Sequence, residues 1–78
     1  MRRIKLTFPT NLVTKPLIYE VGHRYRVVTN IRRAEVRPDV GWVILEMDGE
    51  DEEVESALEW MSSEGVRIDP VTGDIIEG

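Results

Sequence analysis

The amino-acid sequence predicts an α+β domain in which a four-stranded antiparallel sheet carries two helices on one face. Residues 2–8 and 42–48 alternate between apolar and polar side chains, as half-buried strands do, whereas residues 17–25 and 54–61 repeat apolar side chains at helical spacing. With the remaining strand-like segments, the predicted order is β-α-β-β-α-β. In this arrangement two right-handed crossovers place both helices on one face of the sheet.

The first strand and the first helix are predicted from the N-terminal third. Residues 2–8 place Ile4, Leu6 and Phe8 on one face, which is typical of a strand that covers a core. Thr14 is expected to cap the following helix, with Pro16 in its first turn, where a missing N–H does no harm. The apolar stripe of this helix is Leu17, Ile18, Val21 and Tyr25.

A β-hairpin is predicted in the middle of the chain. β-Branched residues are frequent in residues 26–37, which indicates a second strand, but the alternation changes phase after Ile31. One extra residue, a β-bulge, is therefore expected near residues 32–33. Residues 38–41 have the composition of a turn, and residues 42–48 form the third strand.

The second helix is predicted from its ends and its apolar stripe. Four acids at positions 50–53 lie where a helix would begin, next to the positive end of its dipole, and Gly65 is expected to end it. The stripe is Val54, Ala57, Leu58 and Met61, with Leu58 at its centre. Residues 66–69 predict a short fourth strand. The whole chain, residues 1–78, is therefore interpreted as one domain, with residues 70–78 as a turn and tail.

Composition restricts the class of protein. The sequence has no cysteine, which excludes disulfides, iron–sulfur clusters and thiolate zinc sites and fits a cytoplasmic protein. No run of apolar residues approaches the ~18 needed for a membrane-spanning helix, so no membrane insertion is expected. A core built from about 80 residues rarely supplies more than roughly 3–5 kcal/mol, which favours association into a homodimer.

The charges are unevenly distributed. The net charge of −5 opposes binding to nucleic acid, whose affinity comes largely from phosphate neutralisation. Residues 1–38 carry nine of the ten Lys and Arg residues, and residues 39–78 carry thirteen of the fifteen acids. Two interpretations follow: the two halves neutralise each other within the fold, or they form a bipolar surface that orients a partner.

No arrangement of residues predicts catalysis. His23 is the sole histidine and lies on an amphipathic helix, and the serines of the second helix have no base at helical spacing. The acids of residues 50–55 lack the spacing of a calcium loop, and no glycine-rich phosphate-binding motif is present. We therefore expect a non-enzymatic protein without a metal or a cofactor.

One apolar pair stands out on the face of the sheet that the helices leave uncovered. Trp42 and Ile44 alternate with the core residues of the third strand, so they are expected to form an exposed apolar patch among charged side chains. Such a patch on a small domain usually marks an interface. Trp42 and Ile44 are therefore the predicted interface residues.

The ordered motifs of the chain resemble the NIL domain family over roughly residues 3–70. The resemblance rests on five features in order: Val28-Thr29-Asn30-Ile31-Arg32, a turn ending in Gly41, an apolar strand ending in Gly49, a helix carrying Ala57-Leu58-Glu59-Trp60-Met61, and Gly65-Val66. NIL domains are best known as C-terminal regulatory domains of the ATPase subunits of methionine-importing ABC transporters, and here the domain is expected to stand alone.

The resemblance implies a fold, a ligand and a site. It implies a ferredoxin-like βαββαβ sandwich, akin to amino-acid-binding ACT domains, that forms homodimers and binds methionine or a related amino acid. Asn30 and Ile31 match the first two letters of the name-giving motif, and Arg32 replaces its leucine, so these three are the candidate ligand-binding residues. A guanidinium at position 32 could pair with a carboxylate if it points inward.

Two hypotheses for function follow. The first is a regulatory domain that senses methionine or a related amino acid. The second is an accessory or scaffolding partner protein without a small ligand, for example in sulfur assimilation.

Overall fold

The computed structural model describes residues 1–71 and has the predicted α+β architecture. The elements are β1 (Arg2–Phe8), a single 3-10 turn (Thr10–Leu12), α1 (Leu17–Arg24), β2 (Val28–Val36), β3 (Gly41–Asp48), α2 (Asp51–Ser63) and β4 (Arg67–Pro70). The sheet order is β2-β3-β1-β4, and each neighbouring pair is antiparallel. This is the ferredoxin-like arrangement. No helix within residues 1–71 has the length and apolar character required to cross a membrane.

The hydrophobic core lies between the two helices and one face of the two central strands. Alternate residues of β1 and β3 point to this face, and the apolar stripes of both helices pack on them. The sheet contributes Ile4, Leu6, Phe8, Val43, Leu45 and Met47, and the helices contribute Leu17, Val21, Val54, Ala57 and Met61. Because both stripes bury against the same side, both helices lie on one face, as predicted.

The start of α1 differs from the prediction. The helix begins at Leu17 with Pro16 in the capping position, and no side chain caps it, so the assignment of Thr14 as the cap is wrong. The reason lies upstream, where the chain first makes the 3-10 turn and buries Leu12 in the core. The helix therefore starts two residues later than a cap at Thr14 would place it, and it has only eight residues.

The bulge in β2 is confirmed. The register with β3 shifts between Ile31 and Arg33, which leaves Arg32 as the extra residue. Within residues 1–71, β2 pairs with β3 alone, so it forms an edge of the sheet. Nearly all of its side chains are exposed, in contrast to the buried β3 beside it.

The second helix follows the prediction except at Leu58. Gly65, with φ of +104°, ends the helix as expected, but Leu58 is partly buried and lies beside the stripe formed by the buried residues. Met61 is fully buried and occupies the central place in the core that the apolar stripe predicts for Leu58. β4 extends to Pro70, which was predicted to belong to the tail. Residues 72–78 of the predicted tail lie outside the described residues.

Ion pairs between the basic and acidic halves support mutual neutralisation within the fold. Arg2 pairs with Glu55 of α2, and Arg3 pairs with Glu46 of β3. Arg32 also reaches Glu46, with its Nη1 3.4 Å from Oε2. These contacts bring opposite charges together across the sheet and between the sheet and the helix layer.

Candidate functional site: an apolar groove at the edge strand

An apolar groove lies on the helix side of the sheet, next to edge strand β2. It has a volume of about 270 Å³. The sheet lines it with Phe8, Ile31, Ala34, Val36, Gly41 and Val43. The loop before α1 and the first turn of this helix line it with Val13, Lys15, Pro16, Leu17 and Ile18.

The groove exists because α1 is short and β2 extends past it. The apolar side chains of β2 on the helix side lack the cover that the central strands have, and Ile31 and Val36 are 55% and 67% exposed. Exposed large apolar side chains on an edge strand are unfavourable unless something covers them. This part of β2 is therefore a candidate surface for a ligand or a partner.

The β-bulge determines which side chains enter the groove. Ile31 and Ala34 are three residues apart, and in a regular strand they would point to opposite faces. The extra residue Arg32 restores the phase, so that Ile31 lies opposite Leu45 and Ala34 opposite Val43, both on the core face. Without the bulge, the two residues could not both line the groove.

The polar character of the groove depends on one side chain. Among the described residues that line it, Lys15 is the only one with a charge. The other lining residues are apolar or glycine. A ligand that fits must therefore be mostly apolar, and a negative group on it would find its counterion at Lys15.

A charged cluster occupies the opposite, open face of the sheet. Glu46 is almost buried, and its Oε2 accepts a 2.9 Å hydrogen bond from Arg3 Nη2. Arg32 and Asn30 approach the same carboxylate from β2. The hydrogen bond from Arg3 is the main reason that the pKa of Glu46 lies below its ordinary value, although burial opposes the shift.

The lowered pKa of Glu46 predicts a pH dependence of stability. Since the folded state holds this carboxyl more acidic than the unfolded chain does, its contribution is complete above the unfolded pKa and is lost as the pH falls through the folded pKa. We expect the side-chain carboxyl of Glu46 to titrate, in a carboxyl NMR experiment, below the ordinary pKa of a glutamate. Arg3→Met should move the titration of Glu46 upward, and an unchanged midpoint in this variant would contradict the assignment.

The structure divides the three predicted ligand residues between the two faces of the sheet. Ile31 lines the groove, whereas Asn30 and Arg32 contact Glu46 on the open face. The guanidinium of Arg32 therefore does not point into the groove. Ordinary strand alternation explains this division, because residues 30 and 32 point to the face opposite residue 31.

The expectation of an exposed apolar patch at Trp42 and Ile44 is wrong for Ile44. Trp42 is half-buried, but Ile44 is only 1% exposed. On this face Ile44 lies opposite Lys5 of β1 and Arg33 of β2, with Trp42 and Glu46 two residues away along its own strand. Long side chains of this kind cover an isoleucine with their aliphatic parts, although both helices described within residues 1–71 lie on the other face.

Sequence analysis identified Ile31 alone among the residues that line the groove, and the loop before α1 gave it the least signal. Val13, Lys15 and Pro16 have no motif and no periodicity, so nothing local marks them as part of a site. The one available signal is Pro16, which lies in the capping position directly before the helix.

The outer surface of the helix layer carries aromatic and cationic side chains. Tyr19 and His23 stack with ring centroids 4.1 Å apart, and Arg24 lies 4.7 Å from the ring of Trp60. His23 is exposed, and its Nδ1 lies 3.1 Å from the carbonyl oxygen of Tyr19. In residues 1–71 no three histidine or acidic side chains are grouped in a way that could hold a metal ion.

Comparison with known proteins identifies the family. The chain matches the NIL domain family over residues 2–70. The chain belongs to the NIL domain family. This NIL domain is also similar in structure to the C-terminal domain of an ABC transporter ATP-binding protein from Enterococcus faecalis. The TM-score is 0.79 at 17% identity, and the match covers 94% of this chain and 86% of the other. A sequence comparison with curated proteins gives no match.

Proposed function

We propose that this NIL domain is a regulatory domain that binds methionine or a related amino acid in the groove beside β2. The observation that carries the proposal is the groove itself, an apolar recess with one cationic side chain. Its volume of about 270 Å³ is near the lower end of the range of about 300–1,000 Å³ for small-molecule sites. This size suits a small metabolite and not a nucleotide. The NIL family resemblance favours methionine among such metabolites.

In this proposal Ile31 contacts the ligand, and Asn30 and Arg32 have a different task. Their contacts with Glu46 hold the bulged part of β2 against β3, and the bulge keeps Ile31 and Ala34 on the groove side. Within the name-giving motif, Ile31 therefore contacts the ligand, while Asn30 and Arg32 hold the strand in position. The absence of cysteine from the sequence supports a cytoplasmic place of action.

We also propose that two copies pair through their β2 edges. Val28, Ile31 and Val36 are all more than half exposed on this strand, which is uncommon for an edge that stays unpaired. Antiparallel pairing of identical edges satisfies two-fold symmetry and provides hydrogen bonds for the free side of each strand. Because the groove runs along the same edge, the second copy would also help to enclose a ligand.

The accessory-partner function has support from the same edge. An exposed strand can accept a strand from a different protein as readily as from a second copy. This alternative needs no small ligand, so ligand titration distinguishes it from the first proposal. If the groove binds no small molecule but β2 binds another chain, the accessory function is favoured.

Filling the groove tests the first proposal. Ala34 is exposed and lines the groove, so Ala34→Phe should occupy the site without disturbing the core. We expect calorimetry to show methionine binding to the wild-type protein and at least about a tenfold loss in Ala34→Phe, equivalent to about 1.4 kcal/mol. Thr29→Phe is the matched control, since Thr29 lies on the same face of the same strand but outside the groove. Equal binding by both variants would move the ligand elsewhere.

A further inference from the structure

We infer that the groove recognises the carboxylate of its ligand through Lys15 and does not require an α-ammonium group. The preferred ligand class is then a carboxylate with a short, unbranched apolar tail, of which methionine is one member. This inference rests on the proposed function, because it assumes that the groove is the ligand site.

The charges of the side chains that line the groove determine which charged groups of a ligand find a partner there. A zwitterionic amino acid brings one negative and one positive group, and each needs a partner when water is partly excluded. Lys15 can serve the carboxylate, but no acidic side chain lines the groove among the described residues. An ammonium group would therefore have neutral acceptors at most, and it would lie near the positive charge of Lys15.

The acids that are near in sequence do not change this conclusion. Glu35 belongs to the groove strand, but it lies opposite Trp42 on the open face and pairs with Arg37 at 2.9 Å. Glu20 of α1 and Asp39 of the hairpin turn are not among the residues that line the groove. Within residues 1–71 the groove is therefore lined by one positively charged side chain, Lys15, and by no negatively charged one.

The backbone of Lys15 is held in a defined place. Its N–H donates to the carbonyl oxygen of Leu12 at 3.0 Å, and its own carbonyl accepts from the N–H of Leu17 at 2.9 Å. The following proline also restricts Lys15 to extended conformations. The side chain thus starts from a fixed point at the rim of the groove, which is the requirement for a residue that orients a ligand.

Three ligands with the same thioether tail test the inference: methionine, 4-(methylthio)butanoate, which lacks the amine, and 3-(methylthio)propylamine, which lacks the carboxylate. In calorimetric titrations of the wild-type protein, we expect the two carboxylates to bind within a few-fold of each other. The amine should bind at least about tenfold more weakly, because a hydrogen bond to a charged group contributes about 1.5–3 kcal/mol.

Variants at Lys15 test its role. Lys15→Gln should weaken both carboxylates about tenfold or more without weakening the amine, and Lys15→Arg should restore most of the loss. Lys15 is exposed, so both variants should keep the melting temperature of the wild type.

The outcomes separate the two proposals. If methionine binds but 4-(methylthio)butanoate does not, the ammonium is recognised and the inference is overturned, while the proposed function stands. Equal weakening of all three ligands in Lys15→Gln would also overturn it. If none of the three binds the wild-type protein, the proposed function itself fails.

Discussion

Met61→Ala is expected to unfold a large part of the population at 25 °C. Met61 is fully buried between α2 and the sheet, and truncation of such a side chain costs about 2–5 kcal/mol. A single core of this size supplies roughly 3–5 kcal/mol, so the loss is comparable to the whole free energy of unfolding. Urea denaturation at a fixed protein concentration measures it, because association also affects apparent stability.

Leu58→Ala is the control for this prediction. Leu58 is on the same helix but only partly buried, so the expected cost is about 1 kcal/mol. If Leu58→Ala destabilised the protein as much as Met61→Ala, the helix would be rotated relative to the described packing. A melting temperature of Met61→Ala within a few degrees of the wild type would show that Met61 is not a core residue.

Val28→Lys is expected to convert the proposed dimer into a monomer. Val28 is 73% exposed at the start of β2, and a lysine on an edge strand opposes pairing with another edge. Val28 does not line the groove, so the substitution removes no side chain that lines it. Sedimentation at micromolar concentration should show a dimer for the wild type and a species of half that mass for the variant.

Two comparisons distinguish the β2 edge from the open face. Trp42→Glu should leave the dimer intact, because Trp42 lies on the open face of the central strand β3. The wild-type dimer should also persist as salt rises past ~0.5 M. Salt weakens attraction between charges, and the proposed interface is held by apolar side chains and backbone hydrogen bonds. A dimer that resists Val28→Lys and dissociates in Trp42→Glu would place the interface on the open face, and a wild-type monomer would reject the dimer.

The fold was predictable because its signals are local and strong. Alternation in β1 and β3 assigned Ile4, Leu6 and Phe8 to the core, and the structure buries all three. The phase change after Ile31 located the bulge, because residues 31 and 34 can share a face only with one residue in excess. The start of α1 was predicted less well, since Thr14 has the chemistry of a cap but tertiary packing of Leu12 determines the path of the chain.

The candidate site was only partly predictable, because it combines segments that are distant in sequence. Ile31 was identified from its motif, but the contacts of Asn30 and Arg32 with Glu46 depend on a neighbouring strand that the motif does not show. Lys15 lies in a loop whose sequence has no pattern, so its position opposite β2 is known only from the structure. Ile44 was expected to be exposed because the pattern of one strand does not show how neighbouring strands cover it.

The most direct test of the central claim is to map methionine onto the protein by amide NMR. A ligand in the groove should shift the amides of residues 13–18 and 31–36, which border it on two sides. The same titration of Ala34→Phe should leave those amides unshifted. The account predicts shifts confined to these two segments and to the other lining residues Phe8, Gly41 and Val43. Shifts confined to the acidic start of α2 or to the open face around Glu46 would contradict it.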